Sequence, residues 1–178
     1  MDFIIERALE SVPERGFENL NQANIKVIGV GGAGNNMVGW LYKKGIKGAE
    51  IIATNTDHQH LSITGADRKF LIGKECTRGL GCGGFPNKGA EAAQESLTQI
   101  KDALKGSDMV FVCAGMGGGT GTGAAPVVAQ VAKDTGAIVI GTVTMPFNIE
   151  RARCDKAEFG LQQLRQVSDT VIVIDNNR

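Results

Sequence analysis

The hydrophobic pattern of this chain predicts an α/β domain: a doubly wound, mostly parallel six-stranded sheet with helices on both faces. Three observations carry the prediction. Six short apolar runs alternate with helix-patterned segments. The strand runs are nearly continuous in Val, Ile and Ala, as expected of parallel strands covered on both faces. Glycine, 25 of 178 residues, gathers at 29–34, 79–84 and 115–123 instead of spreading as low-complexity sequence. Sheets of this kind bind ligands beyond the carboxyl ends of their strands. The three glycine clusters, Asn55–Asp57 and Pro146–Glu150 all fall on that edge, so several loops are predicted to converge on one ligand.

Residues 1–24 read as an N-terminal extension, with a short helix carried by Phe3, Ile4, Ala8 and Leu9 and then a polar linker containing Pro13 and Gly16. The domain begins at 25. Ile25–Val30 is the first strand, and a helix from Ala33 to Lys44 presents Met37, Val38 and Leu41. Glu50–Asn55 is the second strand and Lys69–Ile72 a short third, followed by a loop over 73–87. Lys88–Lys105 is the cleanest helical pattern. Ala90, Ala93, Leu97, Ile100 and Leu104 recur at steps of three and four, and Gly106-Ser107 ends it. Met109–Ala114 is the fourth strand, a glycine loop spans 115–123, and a helix follows with Ala124, Val127, Val128 and Val131 on one side. Ala137–Val143 is the fifth strand and Met145–Glu150 a turn. A helix over 151–167 buries Ala157, Leu161, Leu164 and Val167, and Thr170–Ile174 is the sixth strand. Asp175 and Asn176 read as the start of a further helix.

Nineteen basic and nineteen acidic residues cancel, which disfavours nucleic acid and anionic membrane as partners. Cys76, Cys82, Cys113 and Cys154 have no metal-ligand spacing, and no signal peptide or membrane span is read in the sequence. Free thiols in a reducing cytoplasm are expected, without a zinc site. His58 and His60 are expected on a solvated loop.

The most demanding stretch is Gly115–Gly123, with six glycines in nine residues between a buried strand and a patterned helix. Such a loop lets its backbone approach a ligand closely and aim successive amides at one point. Thr120 and Thr122 add hydroxyls beside a helix N-terminus, where free N–H groups and the dipole favour an anion. A phosphate cradle is predicted in preference to a flexible linker. The first loop offers a competing reading. Gly29, Gly31 and Gly34 satisfy G-x-G-x-x-G after a strand, and Asp57 stands about where a ribose-binding acid would, as in an NAD-binding Rossmann oxidoreductase. That site leaves the second glycine loop unexplained. A P-loop also fails, because Gly73-Lys74 is followed by Glu75. The phosphates must then be held by backbone amides, hydroxyls and a metal ion, without a lysine.

Together these residues resemble the tubulin/FtsZ family. Gly117-Gly118-Gly119-Thr120-Gly121-Thr122-Gly123 matches its signature, and Gly115-Met116 before it has the FtsZ form. The likeness runs from Ile25 to Arg178 and takes in Gly31-Gly32-Ala33-Gly34-Asn35-Asn36, Asn55-Thr56-Asp57, Arg78-Gly79-Leu80-Gly81 and Pro146-Phe147-Asn148. Glu150-Arg151-Ala152-Arg153 and Ile174-Asp175-Asn176-Asn177-Arg178 resemble the second archaeal FtsZ group. More familiar FtsZ sequences carry one more residue between the equivalents of Glu150 and Arg153, and a proline where Asp175 stands.

The resemblance implies that residues 25–178 are the GTP-binding domain of a cytoskeletal GTPase. Such proteins polymerise head-to-tail for cell division, in the cytoplasm at a mid-cell ring. It implies GTP or GDP with Mg²⁺ as ligand, and other copies of the protein and division-site proteins as partners. No nucleic acid and no direct membrane insertion are expected. Gly31 to Asn36 and Gly115 to Gly123 would wrap the phosphates. Asp57 would lie near the γ-phosphate and its Mg²⁺, which the nucleotide itself holds, and Gly83-Gly84 would follow the γ-phosphate. Glu150 would hydrogen-bond the ribose, with Arg153 beside it and Pro146 on the same turn. Simpler roles stand next to these: Gly34 in helix–strand packing, Glu150 as a helix cap, Asp57 as the cap of the turn that follows it. In the family a central helix and a second domain come after the sixth strand, and neither follows here. A truncated, nucleotide-binding half is therefore expected. It would have no catalytic residue of its own, bind guanine nucleotide weakly and hydrolyse it negligibly, since a neighbouring subunit completes the reaction. A pure interaction module without nucleotide is the non-catalytic alternative.

Overall fold

Aliphatic and β-branched runs form one six-stranded sheet from β1 (Ile25–Val30), β2 (Ala49–Asn55), β3 (Arg68–Leu71), β4 (Met109–Gly115), β5 (Ile138–Met145) and β6 (Thr170–Asp175). The computed structural model describes residues 23–177, so the helix expected around Phe3 to Leu9 lies outside the described residues. The strand order is β3-β2-β1-β4-β5-β6, and all five pairings are parallel. From β1 the chain steps outward to β2 and β3, then returns to β4 on the other side. β1 and β4 thus flank the switch point, and Val30 lies opposite Ala114 where the two strands end. Loops leaving these two ends diverge and open a crevice between them.

The helices are α1 (Gly31–Lys44), α2 (His58–Ile63), α3 (Lys74–Thr77), α4 (Pro86–Glu95), α5 (Leu97–Leu104), α6 (Thr120–Asp134) and α7 (Arg151–Val167). The pleat sends alternate strand residues to opposite faces. Ile28 and Val30 enter the larger core with Ala92 of α4, Ile100 of α5, Val128 of α6 and Leu164 of α7. Val27, Ile51 and Ala53 enter a smaller one with Val38 of α1 and Leu61 of α2. Two buried faces explain why the strands read as continuous apolar runs. β6 lies at the sheet edge, and its Ile172, Val173 and Ile174 are exposed. No helix among the described residues is long and apolar enough to cross a membrane.

Four local expectations are corrected. The helix over 88–105 is two helices broken at Ser96, whose buried Oγ accepts the Gly73 amide at 3.0 Å and so leaves the helical surface. The loop over 73–87 contains α3, and α4 starts within it, at Pro86, the favoured first helical position for proline. The second half of the glycine loop is helical: α6 begins at Thr120, and Gly123 N–H donates to the Gly119 carbonyl at 3.0 Å. His58 and His60 sit on α2, because Asp57 caps that helix by accepting the His60 amide on Oδ1 at 3.1 Å. At the other end of the chain, Asp175 completes β6 and Asn176-Asn177 form a turn.

Lys26 is a charge that the strand pattern does not anticipate. It is buried in β1, where its ammonium donates to the Ala103 carbonyl at 2.8 Å and the Lys105 carbonyl at 3.3 Å and pairs with Glu50 at 3.2 Å. It satisfies the last carbonyls of α5 and sits at the negative end of that helix's dipole. Lys26→Met keeps the apolar stem and deletes the donor. It is expected to cost about 1–3 kcal/mol of stability, read as a lower urea midpoint.

Candidate functional site

A cavity of about 270 Å³ lies at the carboxyl edge of the sheet, between the ends of β1 and β4. Val30 and Gly115 close β1 and β4 at its base. Gly32 and Ala33 of α1 line one side, Met116 and Gly118 to Gly121 another. Thr144, Met145, Pro146, Glu150, Arg153 and Asn176 complete the lining. Glycine is required where the two loops meet. Gly31 holds a φ of +75°, and a Cβ built there would lie 2.9 Å from the Gly121 nitrogen. Gly121 approaches β4 equally closely, its built Cβ lying 2.5 Å from the Gly115 carbonyl oxygen.

The N-termini of two helices, α1 and α6, therefore line the same cavity. Neither has a side-chain cap or an acidic residue in its first turn, which leaves amides and dipoles available to an anion. The one carboxylate in the lining, Glu150, is 2.6 Å from the Arg153 guanidinium, and its Oε1 accepts the Phe147 amide at 3.2 Å. The local field favours negative charge, and the pair at the rim is preset by its own hydrogen bonds.

The residues singled out in the sequence divide into three groups. Gly32, Ala33, Gly115, Met116, Gly118, Gly119, Thr120, Gly121, Pro146, Glu150 and Arg153 line the cavity. Gly31, Gly34, Asn35, Gly117, Thr122 and Gly123 lie behind its wall and hold it in shape. Thr122 is buried and accepts the Gly117 amide on Oγ1 at 2.8 Å. Asn35 is buried too; with its amide nitrogen turned inward it donates to the carbonyls of Gly29 at 3.0 Å and Thr54 at 3.3 Å. The built Cβ of Gly34 meets the Cys113 carbonyl, and that of Gly123 meets the Pro86 carbonyl, so these two set the seats of α1 on β4 and of α6 on α4.

Asp57, Gly83, Gly84 and Asn36 stand apart from the lining. Asn36 faces a second cavity, of about 310 Å³, shared with Trp40 and His60. Asp57 forms an isolated bridge with Leu80, and Gly81 N–H donates to the Thr56 carbonyl at 3.0 Å, which docks the loop over 79–84 beside it. That neighbourhood is joined to the cavity through hydroxyls: Thr56 Oγ1 is 2.7 Å from Thr120 Oγ1. The buried Cys82 thiol touches both, at 3.4 and 3.5 Å.

Sequence reasoning did not single out Asn176, Thr144 or Cys82 as site residues, and it placed Thr56 on the ligand edge within Asn55–Asp57 without giving it a role. Asn176 and Thr144 each stand at a strand's carboxyl edge, a positional signal that was available; the Thr56–Cys82–Thr120 contact joins residues far apart in the chain and left none.

Two of the thiols are held away from the reactive thiolate form. Burial pushes Cys113 up to about 12, and burial followed by the Glu95 carboxylate pushes Cys76 up to about 11. All four cysteines are free, and the described residues contain no group of three or more His, Cys, Asp or Glu able to hold a metal.

The description "Tubulin/FtsZ family, GTPase domain" matches residues 24–178. The chain belongs to the tubulin/FtsZ family. Among the FtsZ relatives, Cell division protein FtsZ 2 of Methanocaldococcus jannaschii is 57% identical over 161 residues, covering 90% of this chain and 42% of the relative. Cell division protein FtsZ 1 of Archaeoglobus fulgidus is 52% identical, with all of this chain and 54% of the relative covered. The chain thus spans about half the length of the FtsZ proteins it matches. A solved structure of an empty FtsZ dimer from M. jannaschii superposes with a TM-score of 0.87 at 48% identity, over 98% of this chain and 49% of that one. The GDP-bound monomer of CetZ1 from Haloferax volcanii gives 0.79 at 29% identity, over 86% of this chain and 51% of that one. Both archaeal FtsZ 1 and FtsZ 2 proteins are similar at these levels, and membership does not favour the dinucleotide oxidoreductase suggested by Gly29, Gly31 and Gly34. Those glycines have other work in this fold. Gly29 and Gly34 admit α1 against β1 and β4, and Gly31 admits the start of α6.

Proposed function

We propose that this chain is the GTP-binding domain of a filament-forming GTPase of cell division, and that the β1–β4 cavity takes the phosphates of a guanine nucleotide. The observation that carries the reading is the pair of uncapped helix N-termini, α1 and α6, lining one glycine-walled cavity. The amides of Gly32, Ala33 and Gly118 to Gly121 would hold the phosphates, with the Thr120 hydroxyl beside them. Glu150, at the rim and steadied by Arg153, would accept from a ribose hydroxyl, and Pro146 would pack on the same side. Gly83 and Gly84 would follow the γ-phosphate. Residues 1–24 would be an extension to this domain.

Mg²⁺ fits a donor set of this kind. It demands about six oxygen ligands and keeps several waters, so phosphate oxygens with one nearby carboxylate suffice. Asp57 offers that carboxylate. Its Oδ1 caps α2, and Oδ2 takes no part in the cap. When bound, the ion would neutralise charge on the β- and γ-phosphates.

Hydrolysis by this chain alone is expected to be negligible. The lining's one carboxylate is engaged by Arg153 and the Phe147 amide, and Asp57, outside the lining, would be taken up by the ion, so neither is placed to orient water. Completion by a neighbouring copy in a head-to-tail filament would supply it, at a division-site ring in the cytoplasm with other division proteins as partners. The solved M. jannaschii FtsZ dimer, from a relative 48% identical, supports self-association.

Calorimetric titration of the chain with GTP, GDP, ATP and NAD, each with and without Mg²⁺, tests the reading. GTP and GDP are expected to bind, weakly, ahead of the others. Equal binding of GTP and ATP would keep the phosphate cradle and move base recognition outside this chain. Binding of NAD alone, or of no nucleotide, would overturn the reading.

A further inference from the structure

We infer that Lys156 is a positioning residue for the terminal phosphate: it holds the loop over 82–85 in place, and the preference for a nucleoside triphosphate over a diphosphate depends on it. The inference rests on the nucleotide reading above.

Two contacts of its own and the seat of its helix place this side chain. Helix α7 runs along the glycine loop, for the built Cβ of Gly117 lies 2.9 Å from Arg153 Cβ and that of Gly160 lies 3.2 Å from Met116 Sδ. Lys156 stands between those two contacts, half-buried, on the helix that begins at the Glu150–Arg153 rim. Its ammonium donates to the Gly84 carbonyl at 2.9 Å and lies 5.8 Å from the centre of the Phe85 ring. On the other side the same loop rests on Gly119, whose built Cβ would be 2.7 Å from Cys82 Cβ and 2.9 Å from the Phe85 nitrogen. The loop is thus pinned on one flank by the cradle and on the other by one lysine.

What the lysine restrains is the part least able to restrain itself. Gly83 and Gly84 are exposed, at φ of +57° and +78°, and a Cβ built on Gly84 would meet nothing within 4 Å. Gly83 rests only on the Phe85 ring, over which the ammonium of Lys156 lies, and glycine is the residue with the most freedom to lose. On the nucleotide reading, with the sugar at Glu150, the phosphate chain would run toward Gly118 and Gly119, and the loop over 82–85 packs directly on Gly119. A triphosphate would then reach the loop and a diphosphate would stop short. Arg153 is committed to Glu150, whereas Lys156 ties α7 to the loop.

The test compares the chain with Lys156→Met, which keeps the stem, and Lys156→Arg, which keeps a charged donor able to reach a carbonyl and stack on Phe85. Each is titrated with a non-hydrolysable GTP analogue and with GDP in Mg²⁺, and amide exchange at Gly83 to Phe85 is measured without nucleotide. A hydrogen bond from a charged donor sets the scale. Lys156→Met is expected to weaken the triphosphate analogue about tenfold and GDP less than about twofold, with faster exchange in the loop. Lys156→Arg is expected to restore most of both. Equal losses for the two nucleotides, or unchanged exchange in Lys156→Met, would overturn the inference and leave the nucleotide reading standing. Failure of the unsubstituted chain to bind either nucleotide would overturn both.

Discussion

Gly34→Ala is expected to lower the unfolding free energy by about 3 kcal/mol, and a companion Gly118→Ala to leave it nearly unchanged. Gly34 is in the first turn of α1, and its added Cβ would fall on the Cys113 carbonyl and 3.3 Å from the Ala114 Cα. Both neighbours are backbone of β4, which is paired on each side to β1 and β5, so the strand cannot yield. The helix must move instead, and its N-terminus is a wall of the cavity. A Gly34→Ala protein that still folds should therefore lose nucleotide as well. Gly118 lines the same cavity, yet a Cβ there meets nothing within 4 Å. Urea unfolding followed by circular dichroism separates the two. A cost below about 1 kcal/mol at Gly34, or equal costs at both sites, would refute the packing account.

Thr122→Val is expected to remove about 1–3 kcal/mol of stability and to weaken nucleotide binding about tenfold. Thr122 is 1% exposed and its Oγ1 accepts the Gly117 amide across the glycine loop. Valine has nearly the same shape, so the substitution isolates the acceptor and leaves a buried N–H without a partner. The loop from Met116 to Gly119, which faces the ligand, then loses its internal tie. Thr122→Ser restores the acceptor and forfeits the methyl group that packs on Gly160. It should bind nucleotide like the parent at a modest stability cost. Nucleotide affinity in Thr122→Val equal to the parent's would show that the loop holds its shape without this bond. The two substitutions also differ in kind: the first displaces a helix as a body, the second frees a loop in place.

The role of Thr122 is not legible in the chain as written, and for Gly34 the sequence offers two readings, phosphate contact and helix–strand packing, without choosing between them. Both residues stand in glycine-rich runs after strands, and that position is a local fact. Whether a given residue in such a run faces the ligand or the core depends on what packs behind it. For Gly34 that is the carbonyl of a residue in β4, and for Gly123 it is Pro86 at the start of α4. Ser96 teaches the same lesson at the scale of an element. The apolar stripe from Ala90 to Leu104 has helical period throughout, yet the helix breaks where Ser96 receives the amide of Gly73, twenty-three positions earlier. Lys26 is a further instance: nothing in its strand anticipates a buried ammonium, because its partners are carbonyls at the end of α5.

The fold and the position of the cavity were another matter. Burial on both faces writes a continuous apolar run into each inner strand, burial on one face writes a period near 3.6 into each helix, and both can be counted along the chain. Their alternation determined the doubly wound sheet, and the glycines placed just past β1 and β4 determined which edge would carry a ligand. Tertiary structure alone decided which of those glycines line the cavity and which seat helices, and that Lys156 reaches the loop over 82–85. Such contacts join elements distant in sequence. They arise from the way packed surfaces fit, and a one-dimensional pattern does not record that fit.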